Sequence, residues 1–267
     1  MHIRNCFCII GKRSIFENDH DDSITKRDAS KVTIAETSES PLPFDWNEHA
    51  SHLRLRRATR CTAGTQNVLF VLDSSGSIGQ AQYNVMKGAI ANLTSLFCKE
   101  VHFGLLTFSS QLRLEFCFNC FSSNNVGRAQ AAQAILTAPY QNDLTYTGAA
   151  AKCICDHLLH PRCGISVDPN CLDVVFITDG YSNDPQLQIC DEVRCLHNKY
   201  GVNTYAIGIK NFNKAERSCI SDNSDILSAF AYKDFDDFRD SIIKIIDRLL
   251  KSNGQYTCTD TSGNLRG

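Results

Sequence analysis

The sequence predicts an α/β protein, a doubly wound and mainly parallel sheet with helices on both faces. Three observations predict it. Strand-length apolar runs such as "NVLFVLD" and "CLDVVFITDG" are continuous, not alternating, as expected of strands covered on both sides. The stretches between them carry apolar residues at three- and four-residue spacing, the helical period. Two of the continuous runs stop on an aspartate, at Asp73 and Asp179. In doubly wound sheets, ligands bind at the carboxyl ends of the strands.

Order begins at Gln66. "NVLFVLD" is a buried strand, and "GQAQYNVMKGAIANLTSLF" a helix with Tyr83, Met86, Ile90, Leu93 and Phe97 on one stripe. "VHFGLLTFS" is the second strand. "QLRLEFCF" alternates, placing Leu112, Leu114, Phe116 and Phe118 on one face of an edge strand. Two helices follow, "VGRAQAAQAILTA" ended by Pro139 and "GAAAKCICDHLLH" ended by Pro161. After the strand of "CLDVVFITDG" come the helix "QLQICDEVRCLHNKY" closed by Gly201, the strand "VNTYAIGI" and the short strand "SAFAY". A last helix, "DFDDFRDSIIKIIDRLLKS", has Phe235, Phe238, Ile242, Ile245, Ile246 and Leu249 as its inner stripe. Asp234 is its expected N-cap.

A chain of 267 residues can bury one large core. Residues 1–60 are polar and without sustained period, which reads as a disordered N-terminal or pro-segment; 61–258 form the folded domain and 259–267 a flexible tail. A net charge of −2 gives no electrostatic case for nucleic acid or an anionic membrane. No apolar run reaches the ~20 residues of a membrane span.

The 14 cysteines are the compositional outlier. Scattered rather than paired at metal-ligand spacing, they point to disulfides and an oxidising, extracellular compartment. Cys117 and Cys120 form a C-x2-C pair with no second pair to complete a zinc site. The N-terminus offers only about five apolar residues before Gly11, short of the ~7–15 of a signal peptide, so secretion rests on the cysteines. "RLRR", with Arg54, Arg56 and Arg57, is either a convertase processing site or a basic linker. Asn92-Leu-Thr is a glycosylation sequon on the first helix, either occupied or bare. Cys163 and Cys171 bracket a loop that a disulfide could staple. Cys190 and Cys195 lie ~140° apart around one helix, so each pairs elsewhere. His102, within a strand, reads as a satisfied core histidine.

The carboxylates explain the polar residues around them. Asp73, Ser75 and Ser77 follow the first strand as D-x-S-x-S; Asp179 ends a later one; "LTYTGAA" places Thr145 and Thr147 in a loop before a helix. All three segments belong on one rim of the sheet. Two carboxylates with several hydroxyls are hard oxygen donors, suited to Mg²⁺, and less closely to Mn²⁺ or Ca²⁺, but not to zinc or copper. The carboxylates balance a dication while the hydroxyls leave it electrophilic. An outside carboxylate could then take a water's place, so the set suits an acidic partner. Gly76 is expected to let the loop turn tightly.

Taken together, D-S-S-G-S after a strand, T-Y-T-G before a helix and I-T-D-G after another strand resemble the von Willebrand factor type A domain, over about residues 64 to 251. The resemblance implies a Rossmann-like doubly wound sheet with one antiparallel edge strand. It also implies a metal-ion-dependent adhesion site on Asp73, Ser75, Ser77, Thr145 and Asp179. Ser75, Ser77 and Thr145 would be direct ligands, and Asp73 and Asp179 would act partly through water. The implied function is divalent-cation-dependent binding of an extracellular protein ligand in adhesion or matrix assembly, without catalysis. The cysteines depart from plain members of the family; some extracellular relatives join their termini, which implies a Cys61–Cys258 disulfide.

Three rivals stand beside this reading. A structural, disulfide-rich matrix module would leave the metal site unused. A haloacid-dehalogenase-like Mg²⁺ phosphotransferase would need a second acid two residues after Asp73, where Ser75 stands and cannot act as a general acid. A redox pair Cys153-Ile-Cys155 lies on an expected helix start, which could lower a thiol pKa, against a structural disulfide role for the same cysteines.

Overall fold

The computed structural model describes residues 66–97, 101–159, 172–184, 186–200, 202–210, 212–221 and 229–241. Six strands form one sheet: β1 (Gln66–Asp73), β2 (Val101–Phe108), β3 (Leu112–Phe116), β4 (Leu172–Thr178), β5 (Asn203–Ile209) and β6 (Ala229–Tyr232). Their order is β3-β2-β1-β4-β5-β6. All neighbours run parallel except β2 and β3, so β3 is the antiparallel edge. Strand order reverses between β1 and β4, which makes their carboxyl ends the switch point where such sheets bind ligands.

Every residue of β1, β4 and β5 is buried. Their side chains alternate between two cores. Val68, Phe70, Leu72, Val175 and Ile177 meet α1 (Gln80–Ser95), α2 (Asn125–Thr137) and α6 (235–241) on one face. Leu69, Val71, Val174 and Phe176 meet α3 (Thr147–Cys153), α4 (Gln186–Tyr200) and α5 (Lys214–Ile220) on the other. The predicted α1 stripe of Tyr83, Met86, Ile90, Leu93 and Phe97 is wholly inside. Burying each such side chain stabilises by roughly 1.5–3 kcal/mol. α2 ends before Pro139, where the Lys87 ammonium donates to the carbonyls of Leu136 at 2.9 Å and Ala138 at 2.8 Å, satisfying carbonyls the helix leaves open. Asp234 caps α6 through the Asp237 N–H at 2.8 Å. Ile242, Ile245, Ile246 and Leu249 lie outside the described residues.

The structure corrects several local expectations. A register shift opposite Leu105 and Leu106 breaks the alternation of β3. Leu114 therefore packs into one core and Phe116 into the other, where the alternation put them on one face; a bulge inserts a residue and flips the side chains beyond it. α5 was not anticipated. Its signal is "NKAE": Asn213 accepts from the Ala215 N–H at 2.9 Å and donates to Glu216 Oε1 at 3.1 Å, a variant of the capping box. α3 is shorter than its sequence pattern and continues as a π-turn, Ile154–Leu158.

Two disulfides pin this helical layer: Cys155, in the π-turn, to Cys195 on α4, and Cys190 on α4 to Cys219 on α5. Cys190 and Cys195 thus take separate partners, as their angular separation requires. Cys153 ends α3 rather than starting a helix, and Cys155 is committed to Cys195, so the Cys153–Cys155 redox pair does not form. His102 is half-buried with no hydrogen-bond partner for its Nδ1 among the described residues, unlike the satisfied histidine expected. Asn92 is exposed on α1, while the Thr94 hydroxyl of its sequon is buried on the Ala91 carbonyl. Cys61, Cys258, Cys163, Cys171, Arg54, Arg56 and Arg57 lie outside the described residues.

Candidate metal centre

β1 delivers Asp73 to the switch point and β4 delivers Asp179 one residue past its end. Asp73 is fully buried. Its Oδ1 accepts the Ser75 N–H at 2.8 Å and its Oδ2 the Thr178 hydroxyl at 2.5 Å. Burial raises its pKa from 3.8 to about 6, against the hydrogen bonds of Thr178 and Ser75, with the nearby Asp179 charge adding to the rise. A carboxylate held in so poorly solvated a place favours a compensating positive charge.

A polar chain leads outward from there. Ser75 Oγ lies 3.1 Å from Ser77 Oγ, and the Ser77 hydroxyl donates to Asp179 Oδ1 at 2.7 Å. Ser75 and Asp179 are buried, whereas Ser77 is exposed, so the cluster opens to solvent on that side. Asp179 Oδ2 receives the Lys210 ammonium at 3.4 Å.

Hydrogen bonds knit the three predicted segments together. Ser75 bridges to Asp143; the Gly76 N–H reaches the Asp143 carbonyl at 2.8 Å and the Asn142 N–H the Ser74 carbonyl at 3.0 Å. This brings the 142–147 segment against the β1 loop. The Asn183 N–H donates to the Thr145 carbonyl at 2.7 Å, and Asn183 Oδ1 accepts from the Thr145 N–H at 2.8 Å, which ties the same segment to the β4 loop. With the Ser77–Asp179 contact the ring of loops closes. Asp73, Ser75, Ser77, Thr145 and Asp179 thus share one rim. Thr147, grouped with Thr145 in the sequence, instead opens α3, its Oγ1 buried and unpartnered among the described residues.

The supporting residues were not legible in the motifs. Tyr140 donates to the Ser75 carbonyl at 3.0 Å and accepts from the Gly79 N–H at 3.1 Å. Asp184 Oδ2 accepts from the Gly148 N–H at 2.6 Å and the Ala149 N–H at 3.2 Å, capping α3 from the neighbouring loop. Glu216 takes the Ser182 N–H on both carboxylate oxygens, at 3.2 and 3.1 Å; burial raises its pKa. Gly76 is not in the left-handed region, but a side chain there would meet Asn142 Oδ1 at 3.3 Å where the loops approach; Gly79, three residues later, is the one at positive φ, 78°. Lys210 adopts φ 60°, which costs a residue with a side chain roughly 1–2 kcal/mol.

The donor set fits a hard cation: two carboxylates and neighbouring hydroxyls with no thiolate or imidazole among them. Among the described residues, no group of three or more His, Cys, Asp or Glu forms an alternative centre.

The comparisons agree with this geometry. The profile of the von Willebrand factor type A domain matches residues 67–252, and the chain belongs to that family. It is 26% identical over 212 residues to the collagen alpha-1(XII) chain of Notophthalmus viridescens, covering 76% of this chain and 20% of that one. It is 25% identical over 213 residues to human integrin alpha-X, covering 77% of this chain and 18% of the integrin. The chain therefore spans about a fifth of either relative. Among solved structures, proximal thread matrix protein 1 (PTMP1) from the mussel byssus superposes with a TM-score of 0.62 at 22% identity, covering 71% of this chain and 49% of that one. A second structure of PTMP1, at 21% identity and a TM-score of 0.58, covering 69% of this chain and 48% of that one, is described with a zinc-occupied MIDAS motif. No described helix is long and apolar enough to cross a membrane.

Proposed function

We propose that this chain is an extracellular, non-catalytic protein-binding module of the adhesion or matrix kind, whose binding depends on a divalent cation. Asp73, Ser75, Ser77, Thr145 and Asp179 would hold the ion, Mg²⁺ with Mn²⁺ or Ca²⁺ as alternatives. The observation that carries the reading is the closed ring of loops, which sets the Ser77 hydroxyl on the Asp179 carboxylate at 2.7 Å beside the buried Asp73. When bound, the cation supplies a Lewis-acidic position for a carboxylate of the ligand. The chain's own residues orient that position: Ser77 lies on the open side, and Leu144 and Tyr181, 51% and 65% exposed, follow the site's loops onto the surface as apolar contacts for the ligand.

The relatives support this choice of class, being collagen and integrin chains. The zinc at the MIDAS motif of PTMP1 shows that such a site in a protein of this fold takes a borderline-soft ion too, so zinc belongs in the titration despite the hard donors here. A structural module is the second reading. The two disulfides that join the π-turn after α3 to α4 and α4 to α5 favour it, since covalent bracing of that face serves a rigid module whether or not a metal binds.

The test is calorimetric titration of Mg²⁺, Mn²⁺, Ca²⁺ and Zn²⁺ into metal-stripped wild type and Asp73→Ala, with disulfides intact. Binding to the wild type alone carries the proposal. Binding to neither moves the function to the helical flanks and the structural reading.

A further inference from the structure

Lys210, the residue after β5, adopts φ 60°, a conformation that glycine adopts freely and lysine does not. Its N–H is fixed on the Tyr232 carbonyl at 2.8 Å. From that bend the side chain turns over the rim. Its ammonium lies 3.4 Å from Asp179 Oδ2 and 4.7 Å from the centre of the Phe235 ring. The other Asp179 oxygen holds the Ser77 hydroxyl. One oxygen of the carboxylate is thus aimed into the cluster and the other is held by a cation of the chain itself. An uncommon backbone conformation that delivers a charge to a site is an observation from which function can be argued.

We infer that Lys210 is a built-in counter-cation that competes with the divalent metal for Asp179 and sets the metal affinity of the site below what its oxygen donors alone would give. The inference rests on the reading of Asp73, Ser75, Ser77, Thr145 and Asp179 as a metal site. Like charges repel at close range, and a dication beside Asp179 meets the ammonium a few ångströms away. Two outcomes are open to the lysine. Its side chain is 41% exposed and can withdraw to water or rest on the Phe235 ring, which attracts a cation by its face. If it stays, two carboxylates, one ammonium and one dication leave a single positive charge, which one carboxylate from a ligand neutralises. Either way the lysine weakens binding of the metal alone.

The test is titration of Mg²⁺ and Mn²⁺ into the metal-stripped full chain in four forms: wild type, Lys210→Met, Lys210→Gly and Arg194→Gln. Arg194 pairs with Asp191 on the exposed face of α4, so its variant controls for net charge. The glycine variant suits the backbone at this position and remains testable if the methionine variant fails to fold. Both Lys210 variants are expected to bind roughly tenfold tighter than wild type, as removal of a nearby like charge requires, with Arg194→Gln within about twofold. Tighter binding by the Lys210 variants, including binding where wild type shows none, supports the inference. Equal or weaker binding in these variants while wild type binds overturns the inference and leaves the metal site standing. No binding in any form overturns both.

Discussion

The two ends of the central sheet each bury an aspartate completely, and they use it differently. At the amino end, Asp173 is the second residue of β4; the Gln66 side-chain amide donates to its Oδ2, and the Asn203 amide to its Oδ1 at 3.0 Å. At the carboxyl end, Asp73 is held by the Thr178 hydroxyl and the Ser75 N–H. Side-chain NH₂ groups only donate, so the contacts around Asp173 form a clasp joining β1, β4 and β5. Hydroxyls donate and accept, so Ser75 and Ser77 can turn their lone pairs toward a cation and still belong to the network. The difference teaches that burial of a carboxylate does not by itself mark a site. What marks it is a surrounding set of groups able to reverse their roles, with a path to solvent.

The sharpest way to break the comparison is to remove each carboxylate. Asp73→Ala is expected to abolish Mg²⁺ binding in calorimetry, with the folded structure kept: it leaves the Thr178 hydroxyl and the Ser75 N–H without their acceptor, but it also discards a poorly solvated charge, which offsets that loss. Asp173→Ala is expected to do the opposite. It leaves two buried amide donors unmatched and destabilises by about 3 kcal/mol, at 1–3 kcal/mol for each unsatisfied group, as read by urea unfolding. Its Mg²⁺ affinity should stay within about twofold, since charges at the two ends of the sheet interact weakly across it. Loss of metal binding in Asp173→Ala, with the fold intact, would show the two ends to be coupled and the partition to be wrong.

Thr178→Val probes a smaller effect. The hydroxyl fixes Asp73 Oδ2 at 2.5 Å and is buried with it. Valine preserves the shape and leaves the oxygen without this donor. An outer group that orients a ligand is worth roughly 10–100-fold in metal affinity, so Mg²⁺ binding should weaken by about tenfold, with a stability loss of about 1–2 kcal/mol. A stability loss without a change in affinity would make Thr178 a clasp residue like those around Asp173.

How much of this was legible in the sequence follows from where the information sits. The sheet was legible because β1, β4 and β5 are covered on both faces and their apolar runs are unbroken. The five rim residues were legible because each lies at or just past a strand end or before a helix, and strand order alone brings those points together. Lys210 and Tyr140 were not legible. Lys210 reaches Asp179 only because its backbone takes a left-handed turn, and nothing in "IGIKNF" announces one for a lysine. Tyr140 acts across 65 positions on Ser75, and no local period encodes such a contact. The bulge in β3 was hidden for a related reason: the sequence alternates, and only the pairing with β2 shows where the alternation slips. Disulfide partners were excludable within one helix but could not be assigned between helices.

Tyr140→Phe gives the smallest effect and tests how the β1 loop is held in place. The tyrosine ring packs 5.4 Å from Tyr83, and phenylalanine retains that contact, so only the hydroxyl is removed. That hydroxyl links the Ser75 carbonyl to the Gly79 N–H, spanning the turn that carries Ser77. Tyr140 is half-buried, so water can replace part of what is lost, and the expected destabilisation is about 1 kcal/mol. The affinity for Mg²⁺ should fall less than in Thr178→Val, by roughly twofold to fivefold, because Ser77 is still held by Asp179 and only its backbone support loosens. The order of the two variants is the informative quantity. If Tyr140→Phe weakens metal binding more than Thr178→Val does, the geometry of the site is set by the outer loop and not by the buried aspartate, and the rim would be organised from its surface inward.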